Sequence, residues 1–313
     1  MIWHDAPASA ACIRDGKGWV YVSNSADYAK GCISALRFSD RGDRVESSWR
    51  ISEELSMCGV GVPGPQGSWI VSGIQLKGGE WRPIWDSSRA AMLWSVNPHA
   101  GDVVAPKLIT DVDAPLAAVM IDRVSPFMYL LEGVEWAALR RIRLTTSGDV
   151  SPGAMRTEVL TTSRRRDGKK YVSFTSTEDS QPIRFHRPVS ACIHGGKVWI
   201  ICDGGNSLYS YDLLKEDEPE LVVADLGGAR EIGCGTIAVS PSGTVYFAIS
   251  SGGGIAKVSK YGEVTKILEC KDFVPEIGGL AFSPNGRHLY FSTPYGSGGS
   301  GACGAIYSVA KMD

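Results

Sequence analysis

The sequence predicts an all-β fold, a single six-bladed β-propeller domain spanning residues 1–313. Three observations point there. A unit of apolar run, glycine-containing turn, second apolar run, loop and third run recurs along the chain. The unit starts lie roughly 43 to 73 residues apart, near the period of a four-stranded blade, so about six units fit. No long stretch shows the 3.6-residue periodicity of an amphipathic helix. A two-domain β protein is the structural alternative.

The units can be taken in order. The first pairs "ACIRDGKGWVYVSNS" with the third strand "CISALRFS", and the second pairs "MCGVGVPGPQGSWIVSG" with "AMLWSVNP". The third is "AAVMIDRVSPFMYLLEG" followed by "ALRRIRLT", and the fourth is "SACIHGGKVWIICDGG" followed by "SLYSYDLL". "GTIAVSPSGTVYFAISSGG" with "IAKVSKYG", then "GLAFSPNGRHLYFSTPYG" with "AIYSVAKM", complete the series. "SPSG" and "SPNG" place serine, proline, asparagine and glycine where a tight reversal needs them. Long inserts near 74–91 and 145–183 are expected as loops or hairpin extensions. Pairing of the two chain ends is expected to close the ring.

Composition narrows the function classes. The 37 glycines and nine tryptophans suit a turn-rich β protein. A net charge of −2 gives no electrostatic case for nucleic acid or an anionic membrane as partner. The basic run Arg164–Arg165–Arg166–Asp167–Gly168–Lys169–Lys170 is the local exception and reads as a solvated loop. No apolar stretch approaches the ~20 residues of a membrane span. "MIWHDAPASAAC" has an early acid and no basic start, so it does not read as a signal peptide. The eight cysteines form no CxxC pair and no Cys/His zinc spacing. They read as mostly reduced, buried small hydrophobes of a cytoplasmic protein.

In a propeller the first strand of each blade lines the central channel. The expected starts are Ala11–Cys12, Met57–Cys58, Leu116–Ala117, Val189–Ser190, Gly235–Thr236 and Gly278–Gly279, none of them charged. Calcium wants six to eight oxygen ligands, and zinc or iron wants His, Cys or carboxylates together. These starts therefore predict no metal site and no cofactor.

The rim loops carry more chemistry. His186, Glu132, Asp203 and Tyr28 are the candidate proton-handling residues, His186 because its unperturbed pKa lies near neutrality. Trp81, Trp136 and Tyr295 are the expected walls of a substrate pocket, with Arg187, Val189, Asn206, Cys58 and Leu116 as further lining. Each has a plainer reading: His186 as a surface histidine, Glu132 as a strand-end carboxylate, Asp203 as an Asx-turn residue, the tryptophans as blade packing. The chain lacks GxSxG, HExxH, a P-loop and a dinucleotide fingerprint.

The segment "GWVYVSNSADYAKGCISALRF" resembles a stretch of the PhoX-type alkaline phosphatases, metal-dependent propeller enzymes. "MCGVGVPGPQGSWIVSGI", "LWSVNPHAGDV", "LAAVMIDRVSPFMYLLEG", "RFHRPVSACIHGGKVWIICDGG", "TIAVSPSG" and "EIGGLAFSPNGRHLYF" extend it, in order, over most of the chain. The resemblance implies a propeller fold and places the family's metal ligands on Ala26, on Ser72, Gly73 and Ile74, on Leu116 and Ala117, on Val189, and on Gly235 and Thr236. Cys58, Glu132 and Glu276 match family positions that keep a ligating or acidic residue. With nearly all hard ligands replaced, the phosphomonoesterase activity does not carry over. "GTVYFAISSGGGIAKVSKYGEV" also resembles gluconolactonase-type propellers, whose central Glu, Asn and Asp are missing here.

The expectation is a metal-independent enzyme acting on a small organic substrate. The expected reaction is a cyclisation, isomerisation or related rearrangement in specialised metabolism. A non-catalytic ligand- or partner-binding propeller is the second reading. A residual phosphatase- or lactonase-type hydrolase, with one ion on Cys58, Glu132 and Glu276, is the third.

Overall fold

The computed structural model describes residues 2–4, 8–14, 19–24, 33–39, 44–52, 55–56, 61–63, 69–75, 91–96, 107–112, 114, 116–122, 125–144, 157–164, 167–174, 179–203, 206–215, 217–226, 236–249, 254–269, 277, 279–283, 285–293 and 304–310. These residues are all-β, arranged as seven sheets.

Six sheets are antiparallel meanders in chain order. The first joins Ala8–Arg14, Trp19–Asn24, Ile33–Phe38 and Val45–Ser52. The second joins Gly61–Pro63, Trp69–Gln75, Ala91–Val96 and Lys107–Val112, with Leu55–Ser56 also on Trp69–Gln75. The third is Leu116–Ile121, Phe127–Glu132, Trp136–Arg143 and Glu158–Val159. The fourth is Pro188–His194, Lys197–Cys202, Ser207–Asp212 and Glu220–Val223. Ile237–Val239, Val245–Ile249, Gly254–Val258 and Val264–Glu269 form the fifth. The last comprises Gly279–Phe282, His288–Thr293 and Gly304–Ala310, and Ile2–His4 adds its outer strand with Ile2 opposite Ile306. The first strands lie side by side in sequence, and the last of them, Gly279–Phe282, returns to Ala8–Arg14.

Local chemistry explains the strands. Phe127–Glu132 is buried almost throughout and Val264–Glu269 is mostly exposed. Inner strands covered on both faces read as continuous apolar runs; outer strands admit polar residues. Gly195 and Gly196 link the first two strands of the fourth sheet in a two-residue turn, both at positive φ, as that reversal requires. In "SPSG" the Gly243 amide donates to the Ser240 carbonyl, while the Ser240 hydroxyl accepts from the Thr244 amide.

The cores lie between neighbouring sheets. Leu131, Leu139, Val198 and Ile200 pack between the third and fourth. Leu208, Ile237 and Phe247 fill the next interface, and Ile255, Leu280 and Phe291 the one after. Hydroxyls add to these seams: the Ile237 amide donates to Ser190 Oγ at 3.4 Å, and the Leu280 amide donates to Thr236 Oγ1 at 3.4 Å. Thr236 stands where the phosphatase resemblance puts a metal ligand; here its oxygen faces the next first strand.

The insert near 145–183, expected as loop or hairpin, is in part a small sheet of Lys170–Ser173, Thr161–Arg164 and Gln181–Pro182. It leads into Arg184–His186, which pairs with Trp136–Arg143. The described residues of the 74–91 insert are its strand ends. Among the described residues no helix is long and apolar enough to cross a membrane. Cys192 and Cys202 are free thiols, and burial pushes each pKa up to about 12.

Candidate functional site

Three loops converge where the third and fourth sheets meet. One joins Phe127–Glu132 to Trp136–Arg143, the second runs from Arg184–His186 into Pro188–His194, and the third joins Lys197–Cys202 to Ser207–Asp212. The extra strand Arg184–His186 brings the first two together by pairing His186 with Trp136. Their rings stack with centroids 4.4 Å apart and an interplanar angle of 15°. His186 Nε2 lies 4.0 Å from Glu135 Oε1. Trp136 is 58 % exposed, so one face of this aromatic pair is open to solvent.

The next residue ties in the third loop. The Arg187 amide donates to the Glu135 carbonyl at 2.7 Å, and the Asp203 amide donates to the Arg187 carbonyl at 2.9 Å. Arg187 Nη2 also pairs with Asp203 Oδ2 at 2.7 Å. Asn206 follows: its amide donates to the Asp203 carbonyl, and its Nδ2 donates to Asp225 Oδ1 at 2.9 Å. Asn206 Oδ1 is buried with no hydrogen-bond partner.

Arg187 and Asn206 hold φ of 48° and 50°, the two non-glycine residues at positive φ among those described. Left-handed backbone costs a Cβ-bearing residue roughly 1–2 kcal/mol. Such conformations persist where surrounding structure imposes them, and they cluster at functional sites.

A cavity of about 440 Å³ sits at this junction, lined by Gly133, Val134, Glu135, Arg187, Pro188, Val189 and Asp203. Val189 is a bulge residue. Pro188 pairs with Cys202 and Ser190 with Ile201, leaving Val189 without a cross-strand partner. The same slip recurs at the start of the first and third sheets, where Ser9 and Ala117 are skipped. A bulge re-aims the side chain it carries. Ala117 and Val189 are both positions that the phosphatase resemblance assigns to metal ligands.

Glu132 proves to be built differently. It is 3 % exposed. Its Oε1 accepts from Arg140 Nε at 2.6 Å and Arg140 Nη2 at 2.5 Å; its Oε2 accepts from the Ala138 amide at 2.7 Å and Arg184 Nη1 at 3.3 Å. Four donors thus occupy both oxygens, an arrangement that fits an anchor better than a proton donor or metal ligand. Leu116, half-buried, pairs with it across the third sheet.

Of the expected site residues, His186, Trp136, Arg187, Val189, Asp203 and Asn206 therefore meet at one junction. Leu116 and Glu132 stand beside it in the third sheet. Tyr28, Trp81, Tyr295, Cys58 and Glu276 lie outside the described residues. Asp203, expected as a proton-handling residue with an Asx turn as its plainer reading, gives its carboxylate to Arg187. Glu135 stands on the rim beside Trp136, where strand order puts it; Asp225 is outside the expected set, and nothing local signals it. Among the described residues no three His, Cys, Asp or Glu side chains gather as a metal-holding group.

With this geometry the chain belongs structurally with β-propeller-like proteins. A catalytically inactive virginiamycin B lyase from Staphylococcus aureus with quinupristin superimposes at a TM-score of 0.59 and 11 % identity, over 99 % of this chain and 96 % of that one. A luciferin-regenerating enzyme matches at 0.57 and 12 % identity, over 99 % and 93 % of the two chains. A chain of a nidogen/laminin complex matches at 0.56 and 8 % identity, over 88 % and 84 %. At these identities the likeness is one of fold. No family model and no curated protein sequence matches the chain, so the phosphatase resemblance rests on its motifs alone.

Proposed function

We propose that the chain is a single-domain, six-bladed propeller enzyme that rearranges a small organic molecule at this junction without a metal ion. The return of the first strands to Ala8–Arg14 supports the blade number. The observation that carries the functional reading is a coincidence of place. The two left-handed non-glycine residues, a histidine stacked on tryptophan beside a carboxylate, and a cavity of ligand size meet at one junction.

In this reading His186 gives a proton to one carbon of the substrate and the Glu135 carboxylate, which lines the cavity 4.0 Å from the ring, takes one from another carbon, so the product keeps the substrate's formula. Trp136 backs the ring, Val134, Pro188 and Val189 supply apolar walls, and Arg187, braced by Asp203, orients an oxygen-bearing end. Glu132 is assigned to holding Arg140 and Arg184. Its engagement also weakens the one-ion hydrolase reading, which needed that carboxylate free. Two of the matched structures bear enzyme names, a lyase and a regenerating enzyme, which supports small-molecule chemistry on such a scaffold.

The test is a panel of unsaturated acids and alcohols incubated in D2O with chelator-treated protein and read by mass spectrometry. A product matching its substrate apart from incorporated deuterium, and lost in His186→Gln, is expected. Products heavier by one D2O would mean addition of water rather than rearrangement and sink the proposal. Binding without turnover would favour a non-catalytic docking role, the reading that the exposed Trp136 supports.

A further inference from the structure

The described ends of the basic run, Arg164 and residues 167–170, have a structural setting that the junction does not use. Thr161–Arg164 is the middle strand of the small sheet, and Arg164 pairs with Lys170 across the hairpin. A separate cavity of about 390 Å³ is lined by Thr162, Ser163, Arg164, Lys170, Asp179 and Gln181. Its hydroxyls are not equivalent. Thr161 Oγ1 donates to the Ser173 carbonyl and Ser163 Oγ bonds Ser180 Oγ, whereas Thr162 Oγ1 is buried with no partner. A buried hydroxyl left unpaired costs about 1–3 kcal/mol and calls for something that fills the gap. Lys170 reaches Glu218 at 3.1 Å, an exposed pair open to exchange. Arg164 and Asp179 have no side-chain partner among the described residues.

We propose that this cavity binds the phosphoryl group of a small phosphorylated molecule. Arg164 and Lys170 meet the charge, and the Thr162 hydroxyl donates to a phosphoryl oxygen. Asp179 sets the chemistry further. An ionised carboxylate only accepts, so it repels a fully deprotonated oxyanion but takes a hydrogen bond from a P–OH. Phosphate monoesters, with a second pKa of about 6, retain that proton in part near neutrality. Sulfate does not. The cavity also exceeds what one phosphate ion fills and lies in the size range of small-molecule sites.

The experiment is calorimetric titration of the full chain near neutral pH with inorganic phosphate, glycerol 3-phosphate, sulfate and vesicles containing phosphatidic acid. Phosphate and glycerol 3-phosphate should bind at least roughly tenfold more tightly than sulfate. Asp179→Asn should erase that preference. Thr162→Val should fold with unchanged or raised Tm yet bind phosphate roughly tenfold more weakly, and the surface change Arg164→Gln should weaken it further. Equal affinity for phosphate and sulfate would overturn the proposal as diffuse screening. So would binding unaltered in Thr162→Val and Arg164→Gln, no binding of the soluble phosphates, or binding to vesicles alone.

Discussion

Two arginine–carboxylate sites lie within a few residues of each other, and they are built on opposite terms. Around Glu132 the carboxylate is buried, its side chain 4 % exposed, on a regular strand with four donors. Around Asp203 the paired Arg187 is 59 % exposed, sits on left-handed backbone and lines a cavity. The first arrangement resists change because any loss leaves charge buried. The second tolerates change, because solvent can replace either partner. The contrast separates what holds the third sheet together from what is free to meet a ligand.

The largest effect should come from breaking the buried site. Glu132→Ala strands Arg140, Arg184 and the Ala138 amide, and should cost about 3–5 kcal/mol in urea unfolding. His186→Gln should leave the unfolding midpoint in place and slow turnover at least ~100-fold, about 2.7 kcal/mol in barrier. Arg187→Gly sharpens the comparison because its two consequences have opposite signs. It relieves the left-handed backbone, so stability should hold or rise by about 1 kcal/mol, while substrate affinity falls.

The smallest effect belongs to a site outside the comparison. Hydrogen bonding from the Leu214 amide, aided by Lys215 and Lys197, lowers the Asp212 pKa. A depressed carboxylate pKa means stability is present above the unfolded value and lost as pH falls through the folded one. Asp212→Asn should therefore lower the neutral plateau slightly, leave stability below the folded pKa unchanged, and so flatten the acid limb of the stability–pH curve.

Much of this was legible in the sequence because period and turn chemistry are local. "IHGGK" and "SPSG" carry their own turn instructions, and the apolar runs mark strands covered on both faces. The convergence of His186, Arg187 and Asp203 also followed from strand order, since loops on one rim must meet. Three features were hidden. The pairing of Arg184–His186 with Trp136–Arg143 depends on an insert that had no periodicity to read. The engagement of Glu132 rests on Arg140 and the Ala138 amide of the next strand, with Arg184 added from far along the chain, and that cross-strand register is not written in "MYLLE", which read as a buried acid awaiting a proton. The bulge at Val189 was invisible too, because register slips leave no composition signal.

The most direct test is the rate of deuterium incorporation from D2O into product, per folded molecule, in His186→Gln against Glu132→Gln. The account predicts that His186→Gln loses at least ~100-fold while Glu132→Gln, once corrected for folded fraction, keeps the wild-type rate. A Glu132→Gln rate lowered as far as that of His186→Gln, or a His186→Gln rate equal to wild type, would contradict it.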